Sequence, residues 1–443
     1  MGDEAQFSMK VCSLINARFA AFLGGRFLSG VGDFTFDTSI VLWVATVLTH
    51  GAQRSPLAVS GVLLASSVPA VLLAPVAGVF VDRWNTRRVM LGTDALRALL
   101  ILLVALATVI RLSDTVTLGV RYGIVLLSSA ASQFFNPASV AALQSLVDAK
   151  DLLRASGLLQ TAASTAGILG PALGSVLFFA VGINWAILLD SLSFVASFST
   201  ILVVEDLDGT VATEIAEGMT GFWRESRSGA MFVVRSRAMT AIIIAAALVA
   251  LGGGALAALD VFFVTRNLGA PASFYGFLGA VWGIGAILGS LTATLSISRV
   301  GVTTMFYGSL LATGLLVIVY ARQTTLLGGA VVLLLIGLSM SGVQVAVTPM
   351  VLRLVPIALI GRVISIMTPV AMVSLSISTA AAGLVDTAIS STFHVNLLGI
   401  AFGPVDTIFS ASGLLITAGG IFAMRSVRLG KYSITREATV GTD

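Results

Sequence analysis

The sequence predicts an all-α polytopic membrane protein, with twelve transmembrane helices in two six-helix bundles. Three observations carry this prediction. Of 443 residues, 57% are hydrophobic and only 10% are charged, a composition whose surface a water-soluble chain could not solvate. Apolar stretches of about 20 residues or more, enough to cross a hydrocarbon core, recur along the whole chain. One long polar connection near the middle leaves six such stretches on either side.

Taken in order, the spans fall at roughly 19–49, 57–81, 89–110, 118–142, 156–180, 185–204, 239–264, 274–297, 303–320, 326–350, 362–389 and 399–424. An even number puts both termini on one side. With the N-terminus inside, the cytoplasmic segments carry Lys10, Arg83, Arg87, Arg88, Lys150, Arg154, Arg299, Arg353, Arg362, Arg425 and Lys431 among others. The opposite side carries Arg54, Arg111, Arg266 and Arg322, with Arg121 just inside span 4. The excess of positive charge therefore places both ends in the cytoplasm. The expected divisions are a cytoplasmic N-terminal segment (1–18), an N-terminal bundle (19–204), a cytoplasmic linker (205–238), a C-terminal bundle (239–424) and a cytoplasmic tail (425–443). The linker opens acidic, with Glu205, Asp206, Asp208, Glu214 and Glu217, and turns basic at Arg224, Arg227, Arg235 and Arg237. Phe222, Trp223, Met231 and Phe232 interleave with those arginines, the pattern of an amphipathic helix on the inner membrane surface that tethers the two halves. Asp3 and Glu4 open the chain and the first apolar run is long enough to span, so no cleavable signal peptide is expected.

Several chemistries are excluded. The net charge of +4 comes from 25 Lys and Arg against 21 Asp and Glu, and its placement in short loops reads as membrane topology rather than nucleic-acid binding. One cysteine, Cys12, cannot form an intramolecular disulfide or a cysteine metal site. The two histidines, His50 and His394, fall at or outside span ends, so no metal, no cofactor and no enzyme activity are expected. The Gly-Lys pair Gly430-Lys431 is followed by tyrosine and completes no phosphate loop.

Charges inside the spans are the most informative residues. Asp33 and Asp37 lie one helical turn apart in the first span, with Arg26 two turns earlier on the same stripe. An acid at mid-bilayer costs about 2.5–3.5 kcal/mol on insertion scales, so it is expected to face a water-filled cavity or a partner. Two acids in one span point to a protein that handles protons, cations or both; if close, they titrate as a pair. The competing reading is an Arg26–Asp33 ion pair that merely orders the helix. Asp190 in span 6 and Asp406 in span 12 join Asp33 and Asp37 as proton-coupling candidates. Asp260 and Asp386 fall late in their spans, where interfacial water is expected to solvate them. Arg26, Thr38, Trp43, Gln133, Asn136, Trp282 and Gln344 are candidates for lining a mostly apolar cavity with a few polar anchors.

The two halves echo one another. Leu146-Val147-Asp148 and Leu153-Arg154 after span 4 answer Leu354-Val355-Pro356 and Gly361-Arg362 after span 10. The same offset aligns Asn136 with Gln344. Parallel six-span repeats are one arrangement that secondary transporters use, with the substrate site at the repeat interface.

Between spans 2 and 3 stands Gly78-Val-Phe-Val-Asp82-Arg83-Trp-Asn-Thr-Arg87-Arg88. It resembles the loop signature of the major facilitator superfamily, G-x-L-x-D-R-x-G-R-R, with Phe80 for leucine and Asn85 for glycine. An acid here can face a helix N-terminus while the arginines bridge to carboxylates and headgroups. Such a cluster acts as a conformational latch, and Asp94 and Arg97 are close enough in sequence to join it. Span 5 carries Gly157 and then Gly170-Pro171-Ala-Leu-Gly174-Ser175, which resembles the G-P-x-x-G-G element of the superfamily's antiporters. Ala166, Gly170 and Gly174 form a small-residue stripe for close helix packing, and Gly276, Gly279, Gly283, Gly285 and Gly289 of span 8 offer a partner stripe.

Phe135-Asn136-Pro137, Leu152-Leu153-Arg154-Ala155 and Gly361-Arg362-Val363 narrow the resemblance to the branch of macrolide-efflux and enterobactin-exporter-like proteins. The resemblance runs from about residue 18 to 424. It implies a monomeric, proton-coupled antiporter of the inner membrane that exports amphipathic small molecules by alternating access. A narrow-substrate transporter on the same scaffold, exporting a siderophore or lipid or importing with protons, is the alternative. The arginine signature that many drug exporters carry inside span 4 is missing, and the second-half loop signature is reduced to Arg299.

Overall fold

A computed structural model describes residues 17–48, 55–81, 83–109, 114–148, 150–204, 230–356, 359–389, 395–397 and 400–440. Among these residues the chain forms twelve long helices. In the first half they are α1 (Ala17–Trp43, prolonged by a π-helical turn, Val44–Leu48), α2 (Ser55–Val81), α3 (Thr86–Val109), α4 (Asp114–Leu146), α5 (Leu152–Val181) and α6 (Ile183–Val203). In the second they are α7 (Arg237–Arg266), α8 (Phe274–Val300), α9 (Val302–Ala321), α10 (Leu326–Leu354), α11 (Ile360–Ala388) and α12 (Pro404–Val440). Ten are long and apolar enough to cross a membrane, which makes the chain a multi-pass membrane protein. The other two are α3, which carries Arg87, Arg88, Asp94 and Arg97, and α4, thinned by Arg121, Gln133 and Asn136.

Local chemistry sets the helix ends. Asn85 Oδ1 accepts from the backbone N–H of Arg88 (2.9 Å) and opens α3, as Ser236 does for α7 and Thr325 for α10. Gly182 (φ 90°) joins α5 to α6 and Gly301 (φ 85°) joins α8 to α9. Both turns need a left-handed residue, which only glycine supplies at no steric cost.

The last helix begins later than the sequence predicts. Apolar residues from 399 on belong partly to an antiparallel hairpin, β1 (Val395–Leu397) with β2 (Ile400–Phe402), and α12 starts at Pro404. Proline is pre-organised for a first helical position, where its missing N–H costs nothing. The helix then continues past 424 into the expected tail. Of the linker, residues 230–235 are helical, and Val233 is buried in the second half's core.

Within the first half, α1 packs on α5 and α6, and α3 packs on α4 and α6. Within the second, α7 packs on α11 and α12, and α9 on α10 and α12. Adding six to each label of the first set yields the second, to which the second half adds the packing of α8 on α10. The apolar cores obey the same shift. Phe19, Phe22, Met90, Leu143 and Ile201 cluster where α1 and α3 begin and α4 and α6 end. Met239, Phe306, Leu310, Met350 and Ala423 cluster at the corresponding places. Residues 17–43 and 65–204 make one compact unit, while 44–64 and 230–440 make the other. Helix α2 is thereby divided, and Gly383 of α11 lies against Ser60 and Pro56 in its first turns.

Candidate functional site

The charged centre of the first half is built on Arg97. Its guanidinium donates to Asp33 Oδ1 of α1 (2.5 Å) and through Nε to Ser128 Oγ of α4 (3.2 Å). Its plane lies over the Phe194 ring of α6, 4.1 Å from the centroid. One arginine of α3 thus meets three other helices, each through a different contact. The Arg97 side chain is buried, whereas Asp33 keeps 36% of its side-chain surface exposed.

Two further acids surround it. Asp94 lies three residues before Arg97 on α3, and Asp190 lies four residues before Phe194 on α6, so each shares a helical face with an Arg97 contact. Both are fully buried, and neither carboxylate has a hydrogen-bond partner among the described residues. Asp190 reaches this depth because α1 has Gly32 at the crossing: a Cβ there would stand 2.8 Å from Asp190 Oδ1 and would overlap Ser193 Oγ. Asp37 is exposed one turn beyond Asp33. Arg97 lies in the field of all four acids, and Arg26 in that of Asp33 and Asp94. Four carboxyls therefore stand against two guanidiniums, an imbalance in low dielectric that protons or a cation can relieve.

The Arg26–Asp33 pair read from the sequence is replaced. Arg26 lies 4.8 Å from the centroid of the Phe135 ring, and Asp33 takes Arg97. Arg97 and Asp94 belong to this buried centre and not to the loop with which the sequence groups them, since α3 carries Arg97 about 16 Å past its first residue at 1.5 Å per residue.

The loop itself is held by other means. Arg87 Nη2 donates to the Leu202 carbonyl at the end of α6 (2.7 Å), a tie inside the first half. Arg83 and Arg88 are exposed. Gly78 meets nothing within 4 Å of a Cβ, and Trp84 lies between Phe80 and Phe134. Asp82 lies outside the described residues, as do Cys12, His50 and His394.

The small-residue stripe of α5 packs against α1. A Cβ at Gly170 would collide with Phe34, and one at Gly174 would stand 2.6 Å from the Thr35 carbonyl and 3.0 Å from Thr38 Cβ. Thr35 and Ser39 of α1 donate to the Gly170 and Gly174 carbonyls at 3.2 and 3.1 Å. Pro171 sits inside the helix between those contacts, and Gly157 has nothing within 4 Å. On α8, Gly285 and Gly289 face Leu334 and Leu338 of α10, while Gly337 of α10 faces the Trp282 carbonyl.

The cavity candidates scatter. Thr38 is buried against Gly174 and is a packing residue. Trp43 lies under the guanidinium of Arg121 at 3.3 Å. Gln133 donates to Ser129 and Ser132 of its own helix. Asn136, Gln344 and Trp282 are exposed. In the second half the acids gather at one end: Asp386 pairs with Arg266 (3.0 Å), Asp406 with Arg322 (2.6 Å), and Tyr320 donates to Asp260 (2.8 Å). Asp386 is buried rather than solvated, and Asp406 stands in the first turn of α12 rather than deep within it.

Ser128 and Phe194 escaped the sequence reading. The available signal was spacing, Asp190 to Phe194 and Asp94 to Arg97, each pair one turn apart.

Comparison with known proteins now bears on these features. Residues 12–414 match the family described as transmembrane secretion effector, of the major facilitator superfamily. The chain belongs to this family. This secretion-effector member is 22% identical over 381 residues to the uncharacterized MFS-type transporter YkuC of Bacillus subtilis, covering 83% of each chain. It is 26% identical over 165 residues to macrolide efflux protein A of Enterococcus faecalis, covering 34% of this chain and 49% of that protein. Its fold resembles a bacterial homologue of the iron transporter ferroportin in the inward-facing state, with TM-score 0.71, 16% identity, and 92% and 98% of the two chains covered. Family and fold identify a membrane transporter rather than an enzyme.

Proposed function

We propose that this transporter is a proton-coupled exporter of amphipathic small molecules, crossing the inner membrane twelve times with both termini in the cytoplasm and working by alternating access. The observation that carries this reading is the buried centre on Arg97. Its acids outnumber its arginines, an excess of negative charge that bound protons can balance. Asp33 is the exchanging group, partly exposed and bonded to a buried cation; Asp37 stands beside it. The similarity to macrolide efflux protein A supports export of amphipathic compounds. The loop residues Asp82, Arg83 and Arg88 stabilise one state of the cycle. Arg87 and the Asp406–Arg322 pair fasten helices within one half.

The test is acidification-driven uptake of ethidium into everted membrane vesicles. Uptake that collapses with a protonophore and is absent in Asp33→Asn is expected. Folded wild-type protein that moves no ethidium under a proton gradient would remove the broad amphipathic-compound reading and leave a narrow-substrate transporter, exporting a siderophore or lipid or importing with protons.

A further inference from the structure

Coupling demands that a proton, once taken up, be kept from both aqueous sides while the protein changes state. Asp33 alone does not meet this demand, because its carboxylate remains partly exposed. Asp190 does: it has no exposed surface, and neither of its oxygens has a hydrogen-bond partner among the described residues. Asp190 Oδ1 packs against Gly32, the residue before Asp33 on α1. Arg97 is bonded to Asp33 and stacked on Phe194, which lies one turn from Asp190 on α6.

We propose that Arg97 is a switch between Asp33 and Asp190, which share a single proton. The proposal rests on the proton-coupled reading above and specifies how that site works. In the present arrangement Arg97 holds ionised Asp33, and the proton sits on Asp190, occluded. In the alternative arrangement Arg97 holds ionised Asp190, and the same proton sits on Asp33, within reach of solvent. The exchange consumes and releases no proton. The O–H bond breaks at one carboxyl and forms at the other while the guanidinium moves the opposite way.

The mechanical consequence follows from which helices the pair joins. Bonded to Asp33, Arg97 ties α3 to α1; bonded to Asp190, it ties α3 to α6. Proton position is thereby converted into a choice of helix contact, and discrete rearrangements of this kind are what drive conformational change. Asp94 is the other buried, unpartnered acid, but it lies on the same helix as Arg97, so pairing with it would release the tie to α1 without making another between helices. The remaining charges that face the switch are Arg26 and Asp37 of α1. From α4 it meets only the neutral Ser128. Arg97 is a positioning residue in this scheme, and the proton stays with the carboxyls.

Infrared spectroscopy of the purified protein in lipid nanodiscs tests this without substrate or gradient. A protonated carboxyl gives a C=O stretch that shifts in D2O. Buried protonated carboxyls are expected to give such bands in the wild type at neutral pH, and Asp190→Asn to remove one of them. Asp33→Asn frees Arg97 to ionise Asp190, so the same band is expected to vanish there too. Arg97→Gln removes the cation from both acids and is expected to keep the band. A band that survives Asp33→Asn, or one that disappears with Asp94→Asn while Asp190→Asn retains it, overturns the switch. Should Asp190→Asn fold poorly, Asp190→Glu supplies the assignment by displacing the band. Failure of the wild type to move ethidium would strike the broad amphipathic-compound reading alone, because the spectrum registers the switch independently of transport.

Discussion

Asn85 stands where the superfamily loop pattern has glycine, and its side chain explains the exchange. Its Oδ1 caps the first turn of α3 by accepting from Arg88 N–H, a role that needs a short acceptor and no left-handed backbone. Asn85→Ala is expected to cost about 1 kcal/mol, whereas Asn85→Gly costs only a few tenths. Thermal unfolding in detergent micelles checks this; equal losses for both variants would mean that the cap contributes nothing. Phe80, the other departure from the pattern, is likewise explained by a neighbour, since its ring lies 5.4 Å from that of Trp84. Arg97 shows the opposite case, in which the residue was visible but its role was not. Proximity along the chain grouped it with Arg87 and Arg88. Its partners, Asp33, Ser128 and Phe194, lie 64, 31 and 97 residues away, and only tertiary packing brings them together.

The helices themselves were readable to within a few residues, because a span must be about 20 apolar residues long whatever it packs against. The exception, α12, had its own signal in Gly403-Pro404, which marks a helix start more sharply than hydropathy does. What hydropathy could not assign is which helix meets which. The sequence offered the glycines of α5 and α8 as partners, since small residues look alike. In the structure α5 closes on α1 through hydroxyl-to-carbonyl bonds, and α7 meets α11 with the roles reversed, Thr379 of α11 donating to Gly254 of α7 at 3.2 Å. Two glycines of the same α5 element therefore differ in kind. Gly174→Ala pushes a methyl onto the Thr35 carbonyl and is expected to cost about 1–3 kcal/mol by overpacking. Gly157→Ala meets open space and is expected to be neutral or to stabilise by up to about 1 kcal/mol through helix propensity. Melting temperatures of the two variants, measured side by side, decide the matter. If Gly174→Ala melts no lower than the wild type, the α1–α5 seam is looser than described.

Taken whole, the molecule repeats its packing but not its charges. Gly32 of α1 is crossed by Asp190 and Ser193 of α6, and Gly252 of α7 is crossed by Ser412 and Ile416 of α12. The crossing is equivalent under the shift of six helices, yet the second half has a serine and an isoleucine where the first has an acid and a serine. The sequence echo hinted at the repeat; the asymmetry emerged only once packing fixed which positions correspond. The acids of the second half lie instead at one end, each with a partner: Asp260 with Tyr320, Asp386 with Arg266, Asp406 with Arg322. Paired charges at helix ends fasten structure, whereas the unbalanced buried centre is the seat of proton exchange that we propose. The two kinds of acid should then separate experimentally. Asp406→Asn removes a charge-assisted bond to Arg322 and is expected to lower stability by about 1.5–3 kcal/mol, while ethidium uptake stays sensitive to a protonophore. Asp33→Asn is expected to lose proton-driven uptake in protein that remains folded. Melting temperature and vesicle uptake, measured on the same preparations, resolve the two effects. If Asp406→Asn kept its melting temperature but lost the response to a protonophore, proton coupling would extend into the second half, and the Arg97 centre could not be its sole seat.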